Sequence, residues 1–141
     1  MKHLKWFIAL SLCAVVLLAG CTRFGTAVSS IVNTEYENKQ LTVTALVSDN
    51  GGCDYYMEQG FCYSLFLPPS LTDIYTTQVK VATHSEVDTF SATFTLPLVD
   101  TAYYVCAYVK NSAGLSYSPV VKVPTGNVPD TTGMKIMRQQ K

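Results

Sequence analysis

In several segments of this chain apolar and polar residues alternate one by one, and this pattern restricts the fold more than any other feature of the sequence. The clearest segment is 90–96, in which phenylalanine, alanine and leucine alternate with serine and threonine. The same alternation occurs in four further segments, at 41–47, 79–81, 103–109 and 121–123. Successive side chains of a β-strand point to opposite faces of a sheet, so each segment indicates a strand with one buried face.

Turn-forming residues separate these segments. Asp-Asn-Gly-Gly at 49–52, Pro-Pro-Ser at 68–70 and Asn-Ser-Ala-Gly at 111–114 all suit chain reversals. About seven short strands joined by such turns predict an all-β fold, an antiparallel Greek-key β-sandwich, with a barrel as the alternative. Within the sandwich, the alternation places Phe94 in the core between two sheets and Thr93 on the opposite face.

Residues 1–20 differ in character from the rest of the chain. Lys2 and Lys5 precede an apolar run at 6–19, and small residues follow it. A transmembrane helix needs about 20 apolar residues, whereas the apolar part of a secretory signal has about 7–15. We therefore expect residues 1–20 to be a signal peptide that is removed, with a retained membrane anchor as the alternative.

Leu-Ala-Gly-Cys at 18–21 resembles the lipobox of bacterial lipoprotein signal peptides. The resemblance implies cleavage between Gly20 and Cys21, a diacylglycerol on the Cys21 thiol, and a further acyl chain (palmitate) on its amino group. Two or more acyl chains anchor a protein stably, whereas one does so only marginally. Thr22 rather than Asp at the next position favours the outer membrane of a Gram-negative bacterium. An ordinary secreted protein is the alternative.

Two segments of the remaining chain resemble the fibronectin type III family, in the variant found in envelope lipoproteins of Gram-negative bacteria. Residues 101–114 read TAYYVCAYVKNSAG and resemble the family's penultimate strand and following loop, and residues 58–64 read EQGFCYS and resemble an earlier strand. The resemblance spans about residues 27–125 and implies a fibronectin type III/immunoglobulin-like sandwich. It implies that Tyr103 forms a tyrosine corner, with its ring inside and its hydroxyl bonded to backbone near the preceding turn. Cys106 departs from the family, which usually has Arg there.

Cysteine usage limits the disulfides. Cys13 leaves with the signal peptide and Cys21 carries lipid, so Cys53, Cys62 and Cys106 remain. Three thiols allow at most one internal bridge, which an oxidising envelope permits, and the pairing stays open. The family often has an unpartnered cysteine at position 62, so the resemblance implies that Cys62 is unpaired. The same fold would let Cys53 approach Cys106 at the end of the sheet.

The inventory of reactive groups argues against catalysis. His84 is the only histidine beyond the signal peptide, and no motif joins it to a cysteine. Cys and His do not occur at zinc-ligand spacing, and the aspartates around 49–54 lack the spacing of a calcium loop. The formal net charge of +0 argues against binding to nucleic acid, because proteins that bind its phosphates are rich in basic side chains. We expect no enzyme activity, no cofactor, no metal site and no nucleic acid.

Tyrosine is abundant, with nine in the chain. Alternation places Tyr104 and Tyr108 on the outer face of their strand, and Tyr55 and Tyr56 follow the glycine turn. Exposed tyrosines suit recognition because a ring offers much contact area with little rotamer entropy to lose. These four are the candidate surface-binding residues; support of neighbouring strands across a solvent-facing sheet is the alternative.

These observations predict the organisation of the whole chain. A lipidated tether at 21–26 precedes the sandwich at 27–125, and residues 126–141 form a flexible tail with a basic end. We expect a membrane-attached binding or adhesion module of the cell envelope, held by the lipid on Cys21, whose partner is an envelope protein or a glycan. A structural accessory subunit that docks into a larger envelope complex is the alternative.

Overall fold

The computed structural model describes residues 24–126, which form eight β-strands and contain no helix. The strands are β1 (Val28–Glu37), β2 (Gln40–Asp49), β3 (Tyr56–Ser64), β4 (Thr77–Ser85), β5 (Thr89–Thr95), β6 (Ala102–Asn111), β7 (Gly114–Tyr117) and β8 (Val121–Pro124). Within this range, therefore, the chain has no helical segment of the length and hydropathy that crossing a membrane requires.

The strands form two separate antiparallel sheets. One has the order β1-β2-β5, and the other has the order β4-β3-β6-β7 with β8 also paired to β6. The buried apolar residues come from both sheets, which face each other across one core. The predicted all-β antiparallel sandwich is thus confirmed, and the barrel alternative is wrong because the sheets do not close on each other.

The last two strands occupy one edge of β6. Tyr117 on β7 pairs with Tyr108, and Val121 on β8 pairs with Val105 further along the same strand. Pro119 interrupts them, since proline has no N–H for a strand ladder. Ser118 preserves the pairing at the interruption, because its hydroxyl accepts a hydrogen bond from the backbone N–H of Ala107 at 2.9 Å. The eight segments therefore occupy seven strand positions.

The core follows the alternation read from the sequence, with one difference of degree. Phe90 is 6% exposed and Leu96 is fully buried, whereas Phe94 between them is only half-buried. Phe94 lies on β5, the edge strand of the smaller sheet, and its ring stacks on Tyr63 with the ring centroids 4.8 Å apart. The predicted facing of Phe94 and Thr93 is right, but the expected full burial of Phe94 is wrong because an edge strand leaves one side of the ring uncovered.

The two ends of the sandwich are made from different parts of the chain. The described chain starts at one end, called here the entry end, where the Gly25 N–H donates to the Gly51 carbonyl at 2.8 Å. At the opposite end, called here the loop end, lie the β3–β4 loop (65–76) and the β5–β6 loop (96–101). Gly126, the last described residue, lies against Asp100 at this loop end.

Candidate functional site

Several large apolar side chains at the loop end are exposed to solvent. Phe66, Leu67, Ile74 and Tyr75 of the β3–β4 loop are 60–87% exposed, and Leu98 of the β5–β6 loop is 50% exposed. Scattered exposed hydrophobic residues are normal, but contiguous ones mark an interaction site. We call this group the apolar loop surface; with two neighbours its members are Leu65, Phe66, Leu67, Ile74, Tyr75, Leu98 and Val99.

Four members of the apolar loop surface lie close together. The rings of Phe66 and Tyr75 meet edge to face, with centroids 5.7 Å apart. A cleft of about 210 Å³ lies between the two loops, and Leu65, Tyr75 and Leu98 all line it. Small-molecule pockets usually enclose about 300–1,000 Å³, so this cleft suits a single inserted side chain better than a metabolite.

Hydrogen bonds hold the β3–β4 loop in one conformation. The Asp73 carboxylate accepts from the Tyr75 N–H at 3.1 Å, and the Asp73 carbonyl accepts from the Thr76 N–H at 3.2 Å. Earlier in the loop, the Leu71 N–H donates to the Tyr117 hydroxyl on β7 at 3.1 Å. A loop ordered before binding loses less entropy when a partner arrives, so these bonds favour recognition.

Tyr103 holds the β5–β6 loop, and its predicted contacts are present. Its ring is 3% exposed, and its hydroxyl accepts a hydrogen bond from the Leu98 backbone N–H at 3.1 Å. Tyr103 also lines the cleft between the loops. The hydrogen bond to Tyr103 therefore fixes the backbone of Leu98, whose side chain belongs to the apolar loop surface.

The two candidate tyrosines on β6 do not form an exposed surface. Tyr104 is half-buried, and Tyr108 is fully buried. The Tyr108 ring crosses β3, and its hydroxyl donates to Glu58 at 2.8 Å and accepts from the Gln78 amide at 2.7 Å. Burial, together with the Glu58 charge, raises the pKa of Tyr108 well above its usual value. The prediction that Tyr108 is exposed for binding is therefore wrong.

The two tyrosines after the glycine turn lie at the entry end and differ from each other. Tyr55 is 40% exposed, and its ring lies 4.1 Å from that of His84. Tyr56 is 2% exposed, and its hydroxyl donates to the Asp88 carboxylate at 2.5 Å. Tyr55 precedes β3, whereas Tyr56 is the first residue of β3 and is buried, so the prediction that Tyr56 is exposed for binding is wrong.

The three cysteines of residues 24–126 are free thiols in the structure, and two of them lie side by side. Cys106 does point to the outer face of its sheet, but it is 1% exposed because the β3–β4 loop covers it. Cys62 lies directly opposite it on β3, with the two Sγ atoms 2.9 Å apart. Cys53 lies at the entry end with its Sγ 3.1 Å from the Ser112 hydroxyl, so the approach of Cys53 to Cys106 is wrong.

Charged side chains form one ordered cluster on the larger sheet. Lys80 on β4 lies 2.9 Å from Glu58 on β3. Burial opposes ionisation of Glu58, but Lys80 and the Tyr108 hydroxyl outweigh it and lower the pKa of this carboxyl group. Among residues 24–126, no three His, Cys, Asp or Glu side chains are placed to hold a metal ion together.

A second cleft, of about 440 Å³, lies along the β1–β2 hairpin. Its lining is polar and includes Glu35, Glu37 and Gln40. No large apolar side chain other than Tyr36 lines it, so it offers little area for a partner to bury. The apolar loop surface is the stronger candidate.

Sequence reasoning missed the apolar loop surface. The segment LFLPPSLTDIY at 65–75 shows no alternation, and its two prolines indicated only a chain break. The feature that could have predicted this surface is the number of large apolar residues in a segment whose prolines exclude a strand. The predicted cleavage and lipid sites, Gly20 and Cys21, lie outside the described residues, as does nearly all of the predicted tail at 126–141. Comparisons with protein-family models and with curated proteins find no match to this chain.

Proposed function

We propose that this protein is a lipid-anchored, non-enzymatic binding module of the bacterial cell envelope, and that the apolar loop surface is where it binds a protein partner. The observation that carries the proposal is the position of this surface. The described chain starts at the entry end, three residues after Cys21, whereas the apolar side chains lie at the loop end. A lipid on Cys21 would therefore hold the domain with its apolar loop surface directed away from the anchoring membrane.

The dimensions of the domain support this orientation. β1 starts near the entry end and has ten residues. At about 3.3 Å per residue, a strand of this length spans roughly 30 Å. The apolar loop surface thus lies about one domain length from the attachment point, beyond the reach of the bilayer that holds the lipid.

The composition of the loops favours a protein partner. Residues 65–76 and 96–101 contain no Lys or Arg, whereas surfaces that bind anionic lipid are rich in them. A glycan presents many hydroxyl groups that need hydrogen-bond partners, and the exposed side chains here are mostly hydrocarbon. Aromatic and aliphatic side chains that surround a small cleft are typical of the centre of a protein interface.

The fibronectin type III resemblance belongs to the same proposal. The two antiparallel sheets and the hydrogen bond between the Tyr103 hydroxyl and the Leu98 N–H support it. Domains of this architecture carry their variable contacts on loops at the two ends of the sandwich. The apolar loop surface has that position.

Site-specific photo-crosslinking in intact cells tests the proposal. The photoreactive residue replaces Ile74, which is 87% exposed at the loop end, and in a matched control it replaces Val87, which is 61% exposed at the entry end. We expect one envelope protein to be captured from position 74 and not from position 87. Phe66→Asp should remove the capture without changing the midpoint of urea unfolding. No capture from position 74, or equal capture from both positions, would contradict the proposal.

A second candidate is a permanent subunit of a larger envelope complex, and the apolar character of the same surface favours it. Obligate interfaces are more hydrophobic than transient ones. A permanent subunit would remain in a stoichiometric complex through detergent extraction and size-exclusion chromatography. A reversible binding module would separate from its partner on dilution, and the crosslinked species would then be the only stable complex.

A further inference from the structure

We propose that Cys62 and Cys106 form an intramolecular disulfide that joins the two central strands of the larger sheet. The two residues are direct partners in the antiparallel pairing of β3 with β6, and their Sγ atoms lie 2.9 Å apart. Directly opposite residues in such a pair have Cα atoms about 4.5–5.5 Å apart, within the range of about 4.4–6.8 Å that disulfides span. The sulfur atoms need to approach by less than about 1 Å to reach the bonded distance of about 2.05 Å.

Within residues 24–126, Cys62 and Cys106 are each other's only possible disulfide partner in the folded chain. Cys62 is fully buried and Cys106 is 1% exposed. The Pro69 carbonyl of the β3–β4 loop lies 3.6 Å from the Cys106 Sγ and covers it from solvent. Cys53 precedes β3 and lies at the entry end of the sandwich, beside Ser112. A bridge between Cys62 and Cys106 is therefore the one pairing that the strand register allows without moving a strand.

The environment also sets when the bond forms. Both thiols are buried in the folded chain, and the Pro69 carbonyl lies over the Cys106 sulfur. An oxidant cannot reach buried sulfur atoms, so the folded reduced pair reacts slowly. Oxidation therefore takes place before the β3–β4 loop closes over the strands, while the thiols are still in water.

The chemistry is thiol–disulfide exchange with a disulfide-bearing oxidant, which is either a protein or a small molecule. The Cys62 thiolate attacks one sulfur of the oxidant, an oxidant thiolate leaves, and a mixed disulfide forms. The Cys106 thiolate then attacks the Cys62 sulfur, the bond between Cys62 and the oxidant breaks, and a second oxidant thiolate leaves. The protein has lost two electrons and two protons, and the oxidant has gained both as two thiol groups. Formation in the cell rests on the proposed envelope location, because such oxidants persist in oxidising compartments.

Two consequences follow for the protein. The bond pins β3 to β6 directly beneath the β3–β4 loop, whose outer residues form the apolar loop surface. It also leaves Cys53 as the only free thiol of residues 24–126, since the described range contains three cysteines. This pairing replaces the expectation from the sequence that Cys62 stays unpaired.

Differential alkylation tests the proposal in cells and in the purified full chain. Cells are treated with N-ethylmaleimide and lysed in denaturant with the same reagent, so that every free thiol is blocked; the protein is then reduced and treated with iodoacetamide. We expect peptide mass spectrometry to find carbamidomethyl groups on Cys62 and Cys106 and N-ethylmaleimide on Cys53. In Cys53→Ser the result should not change, whereas in Cys62→Ser the Cys106 peptide should carry N-ethylmaleimide.

The second arm separates the bond from the cellular location. Purified full-length protein is reduced in denaturant, refolded in a mixture of oxidised and reduced glutathione, and analysed by the same labelling. A Cys62–Cys106 bond in either arm supports the proposal. A bond that forms with glutathione but not in cells supports the pairing and contradicts the envelope location. Free Cys62 and Cys106 in both arms, or a bridge to Cys53, would overturn the proposal.

Discussion

The ring of Tyr108 lies across Gly60, its direct partner on β3, because Gly60 has no side chain to occupy that position. A Cβ atom at Gly60 would lie 2.6 Å from the Tyr108 hydroxyl and would also collide with the Val79 carbonyl. The tyrosine spans the strand and reaches Gln78 on β4. The Tyr108 ring therefore covers part of the outer face of the larger sheet, which alternation alone had assigned to solvent.

Gly60→Ala should therefore destabilise the fold. The added methyl group overlaps atoms of both neighbouring strands, and overpacking of this kind costs about 1–3 kcal/mol. Gly25→Ala is the matched control, because a Cβ atom there would approach the rest of the fold no closer than 3.9 Å, at the Gly51 Cα. Urea unfolding followed by circular dichroism measures both variants. Equal free energies of unfolding for the two would show that the Tyr108 ring does not depend on Gly60.

The two phenylalanines of β5 should differ in their contribution to stability. Phe90 is 6% exposed, so Phe90→Ala should cost roughly 3–5 kcal/mol. Phe94 is half-buried against Tyr63, so Phe94→Ala should cost about half as much, roughly 2 kcal/mol. Thr93→Ala on the solvent face should change the free energy of unfolding by less than about 1 kcal/mol. A larger loss from Phe94→Ala than from Phe90→Ala would contradict this assignment.

Stability should fall in alkaline solution, and Tyr56 should contribute to this decline together with Tyr108, whose pKa is also raised. Burial, then the hydrogen bond to Asp88 and the charge of that carboxylate, raise the pKa of Tyr56 above its ordinary value of 10.0. Below that ordinary value both states keep the phenol proton, and the contribution of Tyr56 is complete. Above it the unfolded chain loses the proton first, so folding weakens as the pH rises towards the folded pKa.

Urea unfolding at a series of alkaline pH values measures this effect. Tyr56→Phe should make the decline in the free energy of unfolding less steep and leave the contribution of Tyr108. Asp88→Asn should have a smaller effect in the same direction, because this variant lacks the charge that opposes ionisation of Tyr56. An unchanged slope in Tyr56→Phe would assign the alkaline sensitivity to other groups.

Membrane attachment should depend on a single cysteine. Cys21→Ala removes the thiol that the lipobox resemblance identifies as the lipid acceptor, so metabolic labelling with a palmitate analogue should be lost and the precursor should accumulate. Cys13→Ala, within the expected signal peptide, is the control and should leave labelling unchanged. Continued labelling of Cys21→Ala would refute the lipoprotein interpretation.

Local patterns in the sequence predicted five of the eight strands (β2, β4, β5, β6 and β8), turns beside them and the facing of most of their side chains, whereas β1 was not among the alternating segments. The segment 90–96 and the turn at 111–114 are examples, because alternation and turn chemistry are properties of neighbouring residues. The corner at Tyr103 was predicted by the resemblance to the fibronectin type III family and not by alternation; its hydroxyl accepts a hydrogen bond from the Leu98 N–H, five residues earlier.

Only the tertiary structure decided what covers each face of a strand. Alternation assigned Cys106 and Tyr108 to the outer face correctly, but they are buried there by residues distant in sequence: the Pro69 carbonyl over one, and Gln78 beside the other. The placement of Cys62 opposite Cys106 depends on the register between β3 and β6, and the two cysteines are 44 residues apart in the sequence. A pattern within one strand can tell inside from outside, but it carries no information on which distant segment folds over the outer face, because that depends on how the strands and loops assemble.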